Sequence, residues 1–341
     1  MIADPRIDPV LLARAVRDGW AVELTDVVFI PSLDMRAASY EARGPAGRWF
    51  LKVRLGSGAT SLDAAPLAVA RGLVDRGIGN VVGPLATRRG ALAERIDDER
   101  SCELYPFVDG RPANRAGMTA GQWRTFGRTL RAVHDSHLDP RIVERIPVER
   151  FDLPFEVSVR AALAAAEAGT STTPSRRRLA EILNERRPRI EAMLARASDL
   201  GRGLSVRRSE RVLCHADIHL ANILVNHDGA VHLVDWDGPI RAPRERDLLF
   251  VIGSRVAGTV APADEDAFFE GYGRVDIDPE ALIYYRYERV LGDIGESGRR
   301  VFEQSDLSEL DRAREVDLAE DQFAPGNVLE TAEEVVLPWD R

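Results

Sequence analysis

The first third of the chain consists of short runs in which apolar and polar residues alternate, the pattern of half-buried β-strands. These runs cover residues 21–30, 36–43, 48–55 and 101–108. In the third run Lys52 lies in mid-strand between Leu51 and Val53, which point to the opposite face. The pattern predicts a small, mainly antiparallel sheet.

Beyond residue 108 the apolar positions recur every three or four residues, as is typical of amphipathic helices. Thr119 and Gln122 have the spacing of a capping box at the start of one such helix. Predicted helices cover residues 8–18, 61–76, 119–136, 161–168, 176–197 and 278–294. Because the turn residues Asp109-Gly110 mark the change of pattern, we predict an α+β fold with two domains, residues 1–108 and 109–341.

A second feature is a predicted β-hairpin around Asp228-Gly229, a dipeptide that favours the type I′ turn of a two-residue loop. Its strands are the apolar runs 222–226 and 231–235. In that register facing residue numbers sum to 457, so Asn222 lies opposite Asp235, with Cβ atoms about 4.5–5.5 Å apart. An amide oxygen and a carboxylate at that distance could share one hard cation.

The residues around this hairpin have the spacing of a phosphoryl-transfer site. Asp217, in His215-Ala216-Asp217, precedes Asn222 by five residues, the Asp-x4-Asn spacing of the kinase catalytic loop, although its Arg is missing. Asp235 opens Asp-Trp-Asp, where kinases have the Asp-Phe-Gly motif that holds Mg²⁺. Together these residues predict that Asp217 accepts the proton of an attacking hydroxyl while Asn222 and Asp235 bind Mg²⁺.

Composition restricts the functional classes. A net charge of −9 argues against a general nucleic-acid binder and suits a small cationic or metal-chelated substrate. With Cys102 and Cys214 as the two cysteines, we predict neither a disulfide framework nor a zinc cluster. No apolar run approaches 18 residues and no signal peptide is recognisable, so we expect a cytoplasmic protein without a membrane span. We also expect a monomer.

Of the 46 basic residues one is lysine and 45 are arginine. A single lysine suggests a position where a compact point charge is required and a planar guanidinium will not serve. That residue is Lys52, in the third predicted strand.

Several segments resemble the aminoglycoside phosphotransferase family, whose catalytic segment has the form H-x-D-x-x-x-x-N followed by I-D-W-[DE]. They are residues 214–219, 235–237, 242–248, 270–273 and 284–289. Within that family the general likeness is greatest to the spectinomycin phosphotransferases. The resemblance implies a protein-kinase-like fold with a small antiparallel-sheet N-terminal lobe and a larger, mainly helical C-terminal lobe. It also implies ATP and Mg²⁺ as cofactors and transfer of the γ-phosphoryl group to a hydroxyl of a small cationic antibiotic.

The resemblance also implies a nucleotide site. Lys52 would contact the α- and β-phosphates. Backbone groups around three residues of the fourth strand, Glu103, Leu104 and Tyr105, would bind the adenine edge. The phosphate-covering loop corresponds to residues 30–36, which contain no glycine, so Ser32, Arg36 and Ser39 are candidates for side-chain contacts. Asp63 is the acid available to replace the helix glutamate that pairs with the lysine.

The acceptor site is expected on the helix at 278–294, where acids and aromatic residues are spaced along the sequence. Tyr285, Glu288 and Asp293 could line a pocket for an amine, together with Asp217 and Asp237. The same acids could instead pair with arginines, since Arg289 and Asp293 are four residues apart.

Two alternatives remain open at this point. The first is a kinase for another small alcohol, such as a metabolite, a sugar, an amino alcohol or another antibiotic, because the catalytic motif does not encode the acceptor. The second is a nucleotide-binding regulator without turnover, which the missing glycines favour and the complete set Lys52, Asp217, Asn222 and Asp235 disfavours. The motifs do not encode the acceptor hydroxyl or the choice between ATP and GTP.

Overall fold

The computed structural model describes residues 4–32, 36–56, 65–169, 173–305, 307–324 and 327–340. The chain divides into two compact units, which we call the sheet unit and the helical unit. The sheet unit comprises Met1–Pro147, His215–Ile240 and Glu270–Gly273. The helical unit comprises Val148–Cys214, Arg241–Phe269 and Arg274–Arg341. The domain boundary after residue 108 stays a prediction.

The strands and helices follow in chain order. The strands are β1 Asp26–Ile30, β2 Ala37–Gly44, β3 Gly47–Leu55, β4 Glu94–Arg95, β5 Arg100–Pro106, β6 Gly110–Pro112, β7 Val212–Cys214, β8 Ile223–Asn226, β9 Val231–Leu233 and β10 Ile240–Ala242. The helices are α1 Pro9–Trp20, α2 Ala65–Asp75, α3 Ala113–Ala116, α4 Ala120–His134, α5 Pro140–Val143, α6 Glu156–Glu167, α7 Pro174–Ser205, α8 Glu245–Leu248, α9 Pro262–Tyr272, α10 Pro279–Gly298, α11 Glu309–Asp321 and α12 Val328–Thr331. Short 3₁₀ turns cover Leu220–Asn222 and Pro338–Asp340, and a π-helical turn covers Arg299–Glu303.

The sheet unit contains a five-stranded antiparallel sheet in the order β1-β2-β3-β5-β4. Leu51 and Val53 on β3 are fully buried in a core that also receives Leu12 and Val16 from α1. Lys52 lies between Ser39 on β2 and Glu103 on β5. The predicted α+β class, with a small antiparallel sheet and a helical part, is confirmed.

The hairpin of β8 and β9, which we call the catalytic hairpin after its predicted role, differs from the prediction by one residue. The pairs Ile223 with Leu233 and Val225 with Val231 sum to 456, so the loop has three residues and the two-residue type I′ prediction was wrong. The reason is Asn226, whose side-chain Oδ1 accepts a hydrogen bond from Ala230 N at 2.8 Å.

Within this loop Gly229 N donates to the Asn226 carbonyl at 3.0 Å. Gly229 adopts a φ of 80°, which suits the left-handed position that closes a three-residue loop. In the observed register Asn222 faces Val234, whose N–H donates to the Asn222 carbonyl at 3.0 Å. Asn222 and Asp235 consequently lie just outside the two strands.

In the helical unit α10 packs against α6 and α7. Gly295 and Gly298 of α10 allow the close approach to α6, because a Cβ at Gly298 would lie 2.3 Å from Ala162 Cβ. In the sheet unit, α4 begins at the predicted capping box of Thr119 and Gln122, with both of its hydrogen bonds formed. No helix in the described ranges is long and apolar enough to cross a membrane.

Candidate active site

The sheet unit contains a cavity of about 280 Å³ next to the catalytic hairpin, near the lower end of the roughly 300–1,000 Å³ common for ligand pockets. One part of its wall is apolar and the other is charged. The apolar part includes Phe50, Val82, Phe107, Leu224 and Val234. The charged part includes Lys52, Asp235 and Asp237, with the polar amide of Asn222 among them. Such a cavity suits a flat apolar group that carries an anionic tail.

Lys52 connects β3 to the residues that follow the hairpin. Its Nζ donates to Asp235 Oδ1 at 2.9 Å and to Asp237 Oδ2 at 2.7 Å, and the residue is 7 % exposed. Burial alone would lower the pKa of Lys52, but Asp235 and Asp237 outweigh it and raise the pKa above its ordinary value. The solitary lysine is therefore held in its charged form beside the Asp-Trp-Asp motif.

Asp237 has a second cationic partner, Arg54, which the sequence analysis missed. The guanidinium binds both carboxylate oxygens, with Nη1 to Oδ2 and Nη2 to Oδ1 each at 2.7 Å. Burial would raise the pKa of Asp237, but the hydrogen bonds from Arg54 and the charge of Lys52 hold it well below its ordinary value. The signal was present, since Arg54 follows Lys52 by two residues and so shares its face of the strand.

The predicted catalytic loop, residues 215–222, is fixed by His215, which is 1 % exposed. Its Nε2 lies 2.9 Å from the Val234 carbonyl, and its Nδ1 accepts from Asp217 N at 3.3 Å, which together favour the neutral Nε2–H tautomer. The ring also packs against Trp236, with centroids 4.5 Å apart. His215 thus acts on the position of Asp217.

Asp217 and Asn222 are joined within the loop, because Asn222 Nδ2 donates to the Asp217 carbonyl at 2.8 Å. The Asp217 carboxylate is 47 % exposed, and Nε2 of His219, a residue not singled out from the sequence, lies 3.6 Å from its Oδ2. Asp217 therefore presents an accessible carboxylate on a backbone that its neighbours hold in place.

Two backbone positions beside the site are strained. Ala216 has a φ of 70° and Asp235 a φ of 65°, in the left-handed region that non-glycine residues rarely adopt. Each such residue costs of order 1–3 kcal/mol, and strain of this kind concentrates at functional sites. Ala216 immediately precedes the predicted catalytic residue Asp217, and Asp235 is itself a predicted metal ligand.

Asn222 and Asp235 fit a divalent cation chemically. Both line the same cavity and offer an amide oxygen and a carboxylate, the hard oxygen donors that Mg²⁺ takes. The strained backbone of Asp235 is a further feature typical of functional sites. Their roles as ligands stay predictions.

Of the remaining residues predicted to bind the nucleotide, some line the cavity and others do not. Ser32 and Tyr105 line the cavity, whereas Glu103, Leu104 and Arg36 are absent from its wall. Glu103 is buried with its carboxylate on Arg54, and the Leu104 carbonyl accepts from Leu85 N at 2.7 Å. Asp63 and residues 33–35 lie outside the described residues.

The three predicted acceptor residues of α10 lie in the helical unit. Tyr285 is fully buried, and Glu288, also buried, forms an ion pair with Arg246. Burial raises the pKa of Glu288, and Arg246 opposes that shift. Asp293 pairs with Arg289 at 3.2 Å on a partly exposed surface. Both acids thus make the arginine pairs that the sequence allowed as the alternative.

Comparison with known proteins identifies the family. The profile of the phosphotransferase enzyme family, APH, matches residues 31–284. The structure of spectinomycin phosphotransferase APH(9)-Ia with ADP and spectinomycin superposes with a TM-score of 0.85 at 26 % identity, covering 97 % of this chain and 99 % of that one. The AMP complex of the same enzyme gives 0.81 at 26 % identity, covering 95 % and 97 %.

A more distant structure shows the same fold. Amicoumacin kinase hAmiN with AMP-PNP, Ca²⁺ and its antibiotic has a TM-score of 0.59 at 18 % identity, covering 94 % of this chain and 96 % of that one. A search of curated proteins found no match. The ADP and AMP in the two spectinomycin phosphotransferase complexes are consistent with the predicted nucleotide cofactor. With the family profile covering most of its length, this chain is a member of the phosphotransferase enzyme family and a small-molecule kinase.

Proposed function

We propose that this kinase transfers the γ-phosphoryl group of ATP to a hydroxyl of a compact cationic aminocyclitol, with spectinomycin as the first candidate. The observation that carries the proposal is the meeting of Lys52, Asp235 and Asn222 in one cavity of a chain that superposes along nearly its whole length on a spectinomycin phosphotransferase. Net charge of −9 favours a cationic acceptor over an anionic one.

In this proposal the nucleotide base occupies the apolar part of the cavity, between Phe50, Val82 and Leu224. Backbone groups of residues 105–108, which line the cavity beyond Leu104, bind the edge of the base. Lys52 binds the phosphates at the charged part, where its ammonium is already held by two carboxylates.

Asp217 is proposed as the residue that orients the acceptor hydroxyl and accepts its proton while the new P–O bond forms and the bond to the ADP leaving group breaks. Asn222 and Asp235 would hold Mg²⁺, which supplies charge neutralisation at the transferred phosphoryl group when bound. The phosphoryl transition state is loose, so most of the rate comes from positioning and electrostatics. His215 and Asn222 provide that positioning through their bonds to the Asp217 backbone.

The proposal is tested by ATP consumption with a panel of acceptors: spectinomycin, the larger aminoglycoside kanamycin, choline and an uncharged sugar. We expect the highest kcat/KM with spectinomycin. Preference for the uncharged sugar would indicate a metabolite kinase, and nucleotide binding without turnover on any acceptor would indicate a regulator. Either result would overturn the proposed acceptor, and the second would also overturn the proposed catalysis.

Lys52→Arg is expected to lower kcat/KM by about 10²-fold, the loss typical when a reacting group is displaced by about 1 Å. The charge survives, but the wide guanidinium cannot occupy the place of a compact ammonium between Asp235 and Asp237. The matched control is Arg43→Lys on the neighbouring strand, where the side chain is exposed. A fully active Lys52→Arg enzyme would make the solitary lysine an accident of composition.

Glu288→Gln is expected to lower the free energy of unfolding by about 3 kcal/mol, because it removes the nearer carboxylate of the buried Arg246 charge and leaves only Glu149 at 3.9 Å. The control Asp293→Asn removes a partly exposed pair with Arg289 and should cost about 0.5 kcal/mol or less. Chemical denaturation measures both. A Glu288→Gln variant of parental stability with a raised acceptor KM would instead support direct amine binding by Glu288.

A further inference from the structure

A continuous row of ion pairs lies behind the cavity. It extends beyond the residues to which nucleotide and metal binding have been assigned. It runs from Asp235 through Lys52, Asp237 and Arg54 to Glu103, with carboxylates and cations in alternation. Glu103 at one end has 4 % of its side chain exposed, whereas Asp235 at the other end has 46 %. The row therefore has a buried end and an open end.

The buried end is fixed by the sheet. Lys52 and Arg54 are two residues apart on β3, and Glu103 is paired with Lys52 on β5, so all three side chains share one face. Arg54 Nε donates to Glu103 Oε1 at 2.8 Å, and Nη2 reaches Oε2 at 3.2 Å. Tyr105, two residues further on β5, donates its hydroxyl to Glu103 Oε2 at 2.8 Å. The buried carboxylate of Glu103 thereby fixes the Arg54 guanidinium.

Arg54 in turn fixes the orientation of the Asp237 carboxylate. Its fork binds both Asp237 oxygens, and Asp237 Oδ2 also accepts from Lys52. A bidentate pair fixes the plane of a carboxylate, which a single point charge does not. A cation bound at Asp235 would compete with Lys52 for that carboxylate, so Asp237 is the partner that can keep the ammonium in place.

We propose that Arg54 and Glu103 are positioning residues for phosphoryl transfer: Glu103 anchors the Arg54 guanidinium, Arg54 fixes the Asp237 carboxylate, and Asp237 holds Lys52 at the cavity. Asp237 thus serves the nucleotide end of the site and does not bind the acceptor. The inference rests on the proposed function, because it takes Lys52 as the phosphate-binding residue.

The test is a double-mutant cycle with Arg54→Met and Asp237→Asn, read out as the Kd of Mg-ADP by calorimetry. Each single variant is expected to weaken binding by about tenfold, the effect of losing hydrogen bonds to a charged group. The double variant is expected to be no weaker than the poorer single variant, since both break the same connection. The acceptor KM is expected to stay unchanged.

Additive losses, about 100-fold in the double variant, would mean that Arg54 and Asp237 act separately and would overturn the proposal. A raised acceptor KM with unchanged Mg-ADP affinity for Asp237→Asn would overturn it as well. Absence of Mg-ADP binding by the unmodified enzyme would overturn the proposed function together with this inference, whereas normal binding that Arg54→Met leaves intact would overturn the inference alone.

Two further variants separate position from general charge. Arg54→Lys keeps the charge but not the fork, and we expect it to bind Mg-ADP as weakly as Arg54→Met; parental affinity would overturn positioning by the fork. Glu103→Gln leaves the residues Arg54 and Asp237 unmutated but removes the charge that anchors the Arg54 guanidinium, and it is expected to weaken Mg-ADP binding by about fivefold. If thermal unfolding shows that Arg54→Met does not fold, Glu103→Gln serves as the test in its place. Unchanged Mg-ADP affinity in Glu103→Gln would then contradict the proposal.

The matched control is Arg43→Met. Arg43 lies on β2 of the same sheet and binds Glu41 through Nε at 2.8 Å and Nη2 at 3.0 Å, but on an exposed part of the strand. Mg-ADP affinity is expected to be unchanged in this variant. An equal loss in Arg43→Met and Arg54→Met would assign the effect to the stability of the sheet and overturn the positioning role.

Discussion

Asp217→Asn is expected to lower kcat by about 10²- to 10⁴-fold, the contribution that a positioned general base typically makes. The substitution keeps the shape of the side chain, the hydrogen bond that the Asp217 N–H donates to His215 and the one that the Asp217 carbonyl accepts from Asn222, so the loop should retain its conformation. It removes the group that accepts the proton. Because Asp217 serves the acceptor, the Kd of Mg-ADP should remain at the parental value.

The control for this substitution is Asp109→Asn, which neutralises another exposed carboxylate of the sheet unit, paired with Arg48. Steady-state turnover and calorimetric Mg-ADP binding are measured for both variants. Turnover of Asp217→Asn within a few-fold of the parent would contradict the assignment of Asp217.

Asp235→Asn is expected to abolish the dependence of nucleotide binding on Mg²⁺ and to lower kcat/KM by about 10²-fold or more, since a catalytic metal supplies several kcal/mol of charge stabilisation. An amide is a poorer ligand for a hard cation than a carboxylate. The Lys52 ammonium would retain Asp237 as a partner, so the lysine itself should remain in place.

Titration of ADP with and without Mg²⁺ measures this effect. Asp228→Asn, in the exposed loop of the same hairpin, is the matched control and should bind as the parent does. If Asp235→Asn still binds ADP more tightly with Mg²⁺ than without it, another ligand holds the cation, and Asp237 is the first residue to examine.

The fold class could be predicted because the strand alternation before residue 108 and the helical periodicity after it are local signals. The Asp-x4-Asn spacing, the Asp-Trp-Asp motif and the solitary Lys52, which predicted the candidate site, are likewise local or compositional signals. The residues predicted for the site do lie together, since Lys52, Asn222 and Asp235 line one cavity, and their roles stay predictions. Their meeting did not depend on the predicted hairpin register, which was wrong by one residue. The turn rule for Asp-Gly does not account for Asn226, whose side chain bonds across a longer loop.

Arg54 was missed for a different reason. One arginine among 45 carries no compositional signal, and its significance depends on the contact with Asp237, 183 residues away in sequence. The residues predicted to bind the adenine edge illustrate a third limit. The alternation of apolar and polar residues does not reveal where the backbone groups of a strand stop pairing with neighbouring segments. The Leu104 carbonyl already accepts from Leu85, whereas Tyr105 lines the cavity.

The most direct measurement of the central claim is the mass of the acceptor after incubation with the enzyme, ATP and Mg²⁺. We predict that spectinomycin gains the mass of one phosphoryl group, that the gain requires Mg²⁺, and that it is lost with Asp217→Asn. Spectinomycin of unchanged mass, under conditions in which the enzyme binds Mg-ATP, would contradict the proposed acceptor. A gain of equal size with Asp217→Asn would contradict the proposed catalytic residue.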